Sequence, residues 1–145
     1  MLGEQFSIKR SEIPQEVFDD AEIEAKAIYE SDYASNFSLS GRPRSFEDIR
    51  KDALLGKLGE YFLKTKFGFI NDDAKWHDLI SPAGTRTEVK TWRKKYMTER
   101  GTLSEIKKLR NRKRSTRQWF FSTEAIIISY NEENSIFTIE AIYKI

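Results

Sequence analysis

Cysteine is absent, histidine occurs once, and the 145 residues include only three prolines and seven glycines. Without cysteine there is no disulfide, no thiolate-bound zinc or iron-sulfur cluster and no thiol nucleophile, a composition that fits a reducing interior. One histidine, His77, is too few for an HExxH zinc motif or a multi-histidine metal centre. Long apolar runs are missing too. Nothing approaches the ~20 residues that a membrane helix needs. The opening MLGEQFSIKRSEIPQEVF lacks the apolar stretch of a signal peptide. These absences predict a cytoplasmic, intracellular protein with no membrane segment. At 39% hydrophobic and 33% charged residues, with a mean hydropathy of -0.64, the expectation is one soluble domain over residues 1–145. Such a domain buries roughly two-thirds of its unfolded surface and needs no covalent staple.

The net charge is only +2, yet the charges are segregated. Residues 1–60 carry 8 Lys+Arg and 13 Asp+Glu, residues 86–117 carry 13 and 3, and residues 118–145 carry 1 and 4. A stretch so basic inside a nearly neutral chain points to an anionic partner, nucleic acid first of all. The ordinary alternative is a solvated basic surface.

Local signals order the chain. Pro14 suits the first turn of an acidic helix over about 13–31, with Val17, Ala21 and Ile28 on one face. Residues 31–44, rich in Ser, Asn, Gly and Pro, read as a loop. Ser45 and Asp48 form a capping pair for a helix through Phe46, Ile49, Ala53, Leu58 and Phe62 to about Lys66, with Gly68 as its stop. Strand character follows at Phe67–Ile70, Lys75–Ile80 and Thr85–Trp92, the last two joined by a Pro82-Ala83-Gly84 turn. Thr102 and Glu105 suggest a second capping box, opening a basic helix to about Arg117. Strands at Glu124–Tyr130 and Ser135–Ile145 close the chain. The predicted class is α/β or α+β, a mixed sheet flanked by helices.

The chemistry concentrates between Gly56 and Lys90. If the hairpin turns about Ala83, Asp78 lies directly across from Glu88, and side-chain alternation puts Lys90 on the face of Glu88 with Val89 on the other. Two opposed carboxylates repel, and a divalent cation removes the conflict. Mg2+ suits an all-oxygen site of one or two carboxylates completed by water and phosphate, and a neighbouring amine can orient or deprotonate an attacking water. Taken alone, Glu88 and Lys90 read better as a same-face ion pair on an ordinary surface hairpin. Upstream, GKLGE places Gly56 and Gly59 inside a helix, where each costs about 1 kcal/mol relative to Ala. Close approach of that helix to the sheet would compensate and bring Glu60 near the acids.

In combination, GKLGE at 56–60, Asp78 in WHDLI and Glu88-Val89-Lys90 resemble the PD-(D/E)XK nuclease superfamily, with its helical G-x-x-G-E element, strand acid and E-x-K. The resemblance extends over roughly residues 45–130 at the level of element order, with His77 standing where the motif has Pro. It implies a restriction-endonuclease-like fold and a Mg2+-dependent DNA endonuclease, with Mn2+ as a substitute. By the same resemblance Asp78, Glu88 and the Val89 carbonyl ligate the metal, and Lys90 positions or activates the water. Glu60 binds a second metal or holds Lys90. His77 alternates away from Asp78 and reads as a packing residue.

Beyond Lys90 the chain turns to binding. Arg93, Lys94, Lys95 and Arg100 follow the catalytic strand, and Lys107, Lys108, Arg110, Arg112, Lys113, Arg114 and Arg117 lie on the basic helix. No apolar residue occurs between Arg110 and Trp119, so the second half of this helix is expected to rest on little protein and to find a partner in DNA phosphates. A homodimer, with the acidic N-terminal helix as a contact, would cut both strands. A non-catalytic nucleic-acid-binding protein of the same fold is the competing reading. RNA as substrate has no RNP-type aromatic motif behind it.

Overall fold

The computed structural model describes residues 1–7, 9–31, 44–71, 78–115 and 121–145. The expected loop at 31–44 therefore lies almost wholly outside the described residues, as do Trp76, His77 and Arg117. The chain divides into two compact units, one of Lys9–Leu58 and one of Met1–Ile8 with Gly59–Ile145.

In the first unit, helix α1 spans Gln15–Glu30, with Pro14 at its N-cap position, where its missing N–H leaves nothing unsatisfied. Helix α2 spans Phe46–Phe67 and begins as expected, the Asp48 N–H donating to Ser45 Oγ at 3.1 Å. Ala25, Ile49 and Ala53 form the buried seam, flanked by Ile28 and Phe46. Small alanines let the two helix backbones approach. Ion pairs of Arg50 with Glu22 (2.9 Å) and of Lys57 with Glu24 (3.8 Å) line the rim.

In the second unit the described strands are β1 (Gln5–Phe6), β2 (Ile70–Asn71), β3 (Leu79–Ile80), β4 (Arg86–Arg93), β5 (Glu124–Asn131) and β6 (Ile136–Lys144). They form one mixed sheet in the order β1-β6-β5-β4-β3-β2. Strands β4 and β5 are parallel, and all other neighbours are antiparallel. The parallel pair needs a crossover, supplied by helix α3 (Glu99–Ser115). The expected class, mixed α and β, is what forms.

Two boundaries move for physical reasons. The strand expected from Phe67 starts only at Ile70, because α2 runs through Phe67. Gly68 then takes a φ of +76°, with its N–H on the Lys64 carbonyl and that of Phe69 on the Leu63 carbonyl. Helix α3 starts a turn earlier than the Thr102–Glu105 pair predicts. Thr98 is the cap, its Oγ1 accepting the Gly101 N–H at 3.0 Å, while Thr102 is buried and donates back to the Thr98 carbonyl.

The sheet has two covered faces. On one, Gly59 of α2 meets Thr91 and Ile128, and Phe6 stacks with Phe62 and Phe137. On the other, Ile106 and Leu109 of α3 pack on Phe121, Ala125 and Ile127, with Trp92, Ala141 and Tyr143 around them. Because Glu88, Lys90 and Trp92 pair with Ala125, Ile127 and Ser129, all three share the α3 face.

Candidate active site

The hairpin has the register that its turn chemistry demands. Ser81 to Gly84 close a turn, the Gly84 N–H donating to the Ser81 carbonyl at 2.9 Å and Gly84 taking a φ of +84°. This is the type I turn plus left-handed residue of a three-residue hairpin loop. Leu79 pairs with Thr87 and Ile80 with Arg86; Asp78, just beyond the paired residues, donates its N–H to the Thr87 carbonyl at 3.1 Å and lies near enough to Glu88 to act on it electrostatically.

At Asp78 the backbone ladder gives way to a side chain. Its Oδ2 accepts the Val89 N–H at 2.8 Å, replacing the main-chain acceptor that β3 would have supplied. A strand residue presents its N–H and C=O to the same side, so the Val89 carbonyl lies on the edge that Asp78 occupies. Glu88 is 8% exposed, and its Oε2 is buried with no hydrogen-bond partner. Burial, and then the charge of Asp78, push the Glu88 carboxyl up to about 8 against the opposing pull of Lys90 and Arg112. Near neutrality this acid therefore keeps its proton, because two adjacent carboxylates in a dry site do not both ionise.

Helix α3 completes the site with residues that sequence patterns did not place there. Glu105 Oε1 is 4.0 Å from Lys90 Nζ, and Glu105 Oε2 is 3.9 Å from Lys108 Nζ. Arg112, seven residues on and thus on the same side of the helix, acts electrostatically on Glu88 and lies 5.6 Å from the Phe121 ring centre. The available signal was the i, i+3, i+7 spacing of Glu105, Lys108 and Arg112, which marks one face but not what it faces.

Glu60 is not drawn into this group. Among the described residues no three Asp, Glu or His side chains come together as a metal-holding set. The reason is the packing of α2. A Cβ built on Gly59 would overlap Thr91 Oγ1, so the helix backbone is pressed onto the sheet face opposite Glu88 and Lys90. The close approach expected of the glycine motif is present, at Gly59 and not at Gly56, but on the other side of the sheet from the acids.

The basic residues divide as well. The expectation that the second half of α3 rests on little protein is corrected at Arg110 and Lys113. Arg110 donates through Nε (3.2 Å) and Nη2 (2.8 Å) to the Lys144 carbonyl, and Lys113 Nζ donates to the Ile145 carbonyl at 2.6 Å. Arg93 and Lys95 pair with Glu132 at 3.6 and 3.4 Å, and Lys94 pairs with Glu140 at 2.5 Å. Glu140 is the extra residue of a bulge, since Ile127 faces Ala141 while Ile128 faces Ile139. Burial raises its carboxyl, but hydrogen bonds from Lys94 and Ser129 outweigh that and hold it below the usual range. Arg100, Lys107 and Arg114 are exposed and make no ion pair with a described residue.

Compared with protein-family models, with curated proteins and with solved structures, the chain matches none of them.

Proposed function

We propose that this protein is a Mg2+-dependent DNA endonuclease that hydrolyses phosphodiester bonds at the Asp78–Glu88 pair. The observation that carries the reading is the buried Glu88 carboxyl, with an oxygen unpartnered, opposite Asp78 and beside Lys90. The donor set fits the cation: two carboxylates and the Val89 carbonyl on one edge are hard oxygens, and Mg2+ needs no third acid because it keeps several waters. When bound, Mg2+ would lower the pKa of a coordinated water and offset charge on the phosphate. Glu88 has to release its proton to serve as a ligand, so occupancy rises with pH. Lys90, tethered by Glu105, holds its ammonium on the face where a water would attack, and Lys108 and Arg112 on the same flank of α3 would meet the phosphate oxygens.

The element order from α2 to β5, a helix, three antiparallel strands, a crossover helix and a parallel strand, is the part of the chain that resembles the PD-(D/E)XK superfamily, and it supports a restriction-endonuclease-like fold. Glu105 then stands beside Lys90 in the role expected of Glu60. Cutting both strands would use two copies as a homodimer.

Supercoiled plasmid, linear duplex and branched DNA incubated with Mg2+ or EDTA test the reading. Cleavage should need Mg2+ or Mn2+ and vanish in Asp78→Asn and Glu88→Gln. A wild-type rate in Glu88→Gln would remove the assignment. The lack of a three-acid group among the described residues favours one other reading, a nucleic-acid-binding protein without catalysis, which would bind DNA equally in EDTA and cut none.

A further inference from the structure

Strand β4 runs out into a single turn of 3-10 helix, Lys94–Tyr96, whose last residue stays outside the core. Tyr96 is 65% exposed. A lone aromatic on a surface needs no explanation by itself. Here, though, the residues ahead of it are committed to fixing its place. Arg93 and Lys95 both reach Glu132 Oε1, at 3.6 and 3.4 Å, and Lys94 reaches Glu140 at 2.5 Å. The turn is thereby tied to β6 and to the chain that leaves β5.

The same cations hold the ring. The Lys95 ammonium lies 5.0 Å from its centre and the Arg93 guanidinium carbon 5.9 Å. Because both share one carboxylate oxygen, they stand too close together to occupy opposite faces of the ring. Among the described residues no other cation or ring touches Tyr96, and at its exposure the face they leave meets solvent. A ring fixed on one side and open on the other suits a second flat ring. Every nucleobase has such a face, and stacking on an aromatic side chain contributes about tenfold or more in affinity per base, whatever the sequence. Bases inside a duplex are covered by their neighbours, so the ligand is an unpaired base.

We infer that Tyr96 is a stacking platform for one unpaired nucleobase, backed by Arg93 and Lys95. Lys95, its side chain 56% exposed, stands beside the ring to meet the phosphate of that nucleotide. This rests on the DNA reading given above and narrows its substrate to DNA with unpaired nucleotides near the cut. A strand advances about 3.3 Å per residue, so the turn begins about 10 Å beyond Lys90, a few nucleotides along one DNA strand.

The test uses the full chain in EDTA and follows binding of fluorescein-labelled (dT)12 by anisotropy, between about 50 and 200 mM salt. Two further arms use the same backbone with every base removed and, as competitor, a long linear duplex. Tyr96→Ala should weaken (dT)12 binding about tenfold without changing the slope of log K against log salt, because a ring is removed and not a charge. Tyr96→Phe and Tyr96→Trp should keep wild-type affinity. The abasic strand and the duplex should not distinguish Tyr96→Ala from the wild type. Equal (dT)12 affinity in Tyr96→Ala and wild type, an equal loss on the abasic strand or the duplex, or no binding of (dT)12 at all overturns the inference. A chain that never cuts DNA but shows this dependence on Tyr96 loses the nuclease reading and keeps the platform. One that cuts while Tyr96→Ala binds normally does the reverse. The ring is exposed, so its removal should leave the fold intact.

Discussion

Replacing Glu88 with glutamine isolates the cost of the opposed acids. The amide is the shape of the protonated carboxyl, can donate to Asp78 as the protonated acid does, and stays neutral at every pH. In the wild type the Glu88 carboxyl is raised from an ordinary 4.5 to about 8 by burial and by Asp78. Between those values the unfolded chain has lost this proton while the folded chain keeps it. Rising pH then favours unfolding. The stability that Glu88 contributes is thus complete below about pH 4.5 and is lost as pH climbs through about 8. A tenfold change in proton affinity corresponds to about 1.4 kcal/mol, so the ceiling is on the order of 5 kcal/mol at alkaline pH, and a realised value of about 2–4 kcal/mol is expected once water enters the site. Urea unfolding at pH 5, 6, 7 and 8 in EDTA measures it. Glu88→Gln should match the wild type near pH 5 and become progressively more stable than it towards pH 8. Parallel stability curves for the two proteins would refute the buried, proton-holding acid and the site built on it.

The other expectations follow from the same geometry. Mg2+ or Ca2+ should raise the Tm of the wild type, more at pH 8 than at pH 6, and much less in Asp78→Asn; equal shifts in both proteins would mean that the acids hold no cation. Gly59→Ala should destabilise by about 1–3 kcal/mol, since its Cβ would collide with Thr91 Oγ1. Gly56→Ala, with nothing within 4 Å, should instead stabilise by up to about 1 kcal/mol, and thermal unfolding of the pair decides between packing and mere sequence likeness. If Arg100 and Lys107 touch DNA phosphates, removing either should flatten the slope of log K against log salt by about 0.9, equally on unrelated duplexes.

Much of the hairpin and of α2 was legible from the sequence, because the rules involved are local. Pro82-Ala83-Gly84 specifies a turn whose length sets the register of Leu79 with Thr87 and of Ile80 with Arg86, and that brings Asp78 near Glu88 without knowledge of any distant contact. Ser45 and Gly68 bound α2 for the same reason, each satisfying backbone groups within a turn of itself. Tertiary structure decided the rest. Thr98 and Thr102 are equally good caps by composition, and the burial of Thr102 against the sheet selected Thr98. Whether Glu60 or Glu105 stands beside Lys90 depended on which sheet face each helix covers, and Gly59 committed α2 to the Thr91 face. Sequence alone left the cations near Arg110 without protein beneath them, because the carbonyls that hold Arg110 and Lys113 belong to Lys144 and Ile145, more than thirty residues away. Side-chain patterns report neighbours along one element. Contacts between α3 and β6 form only when the crossover lays the helix on the sheet, and that is a property of packing with no local signature.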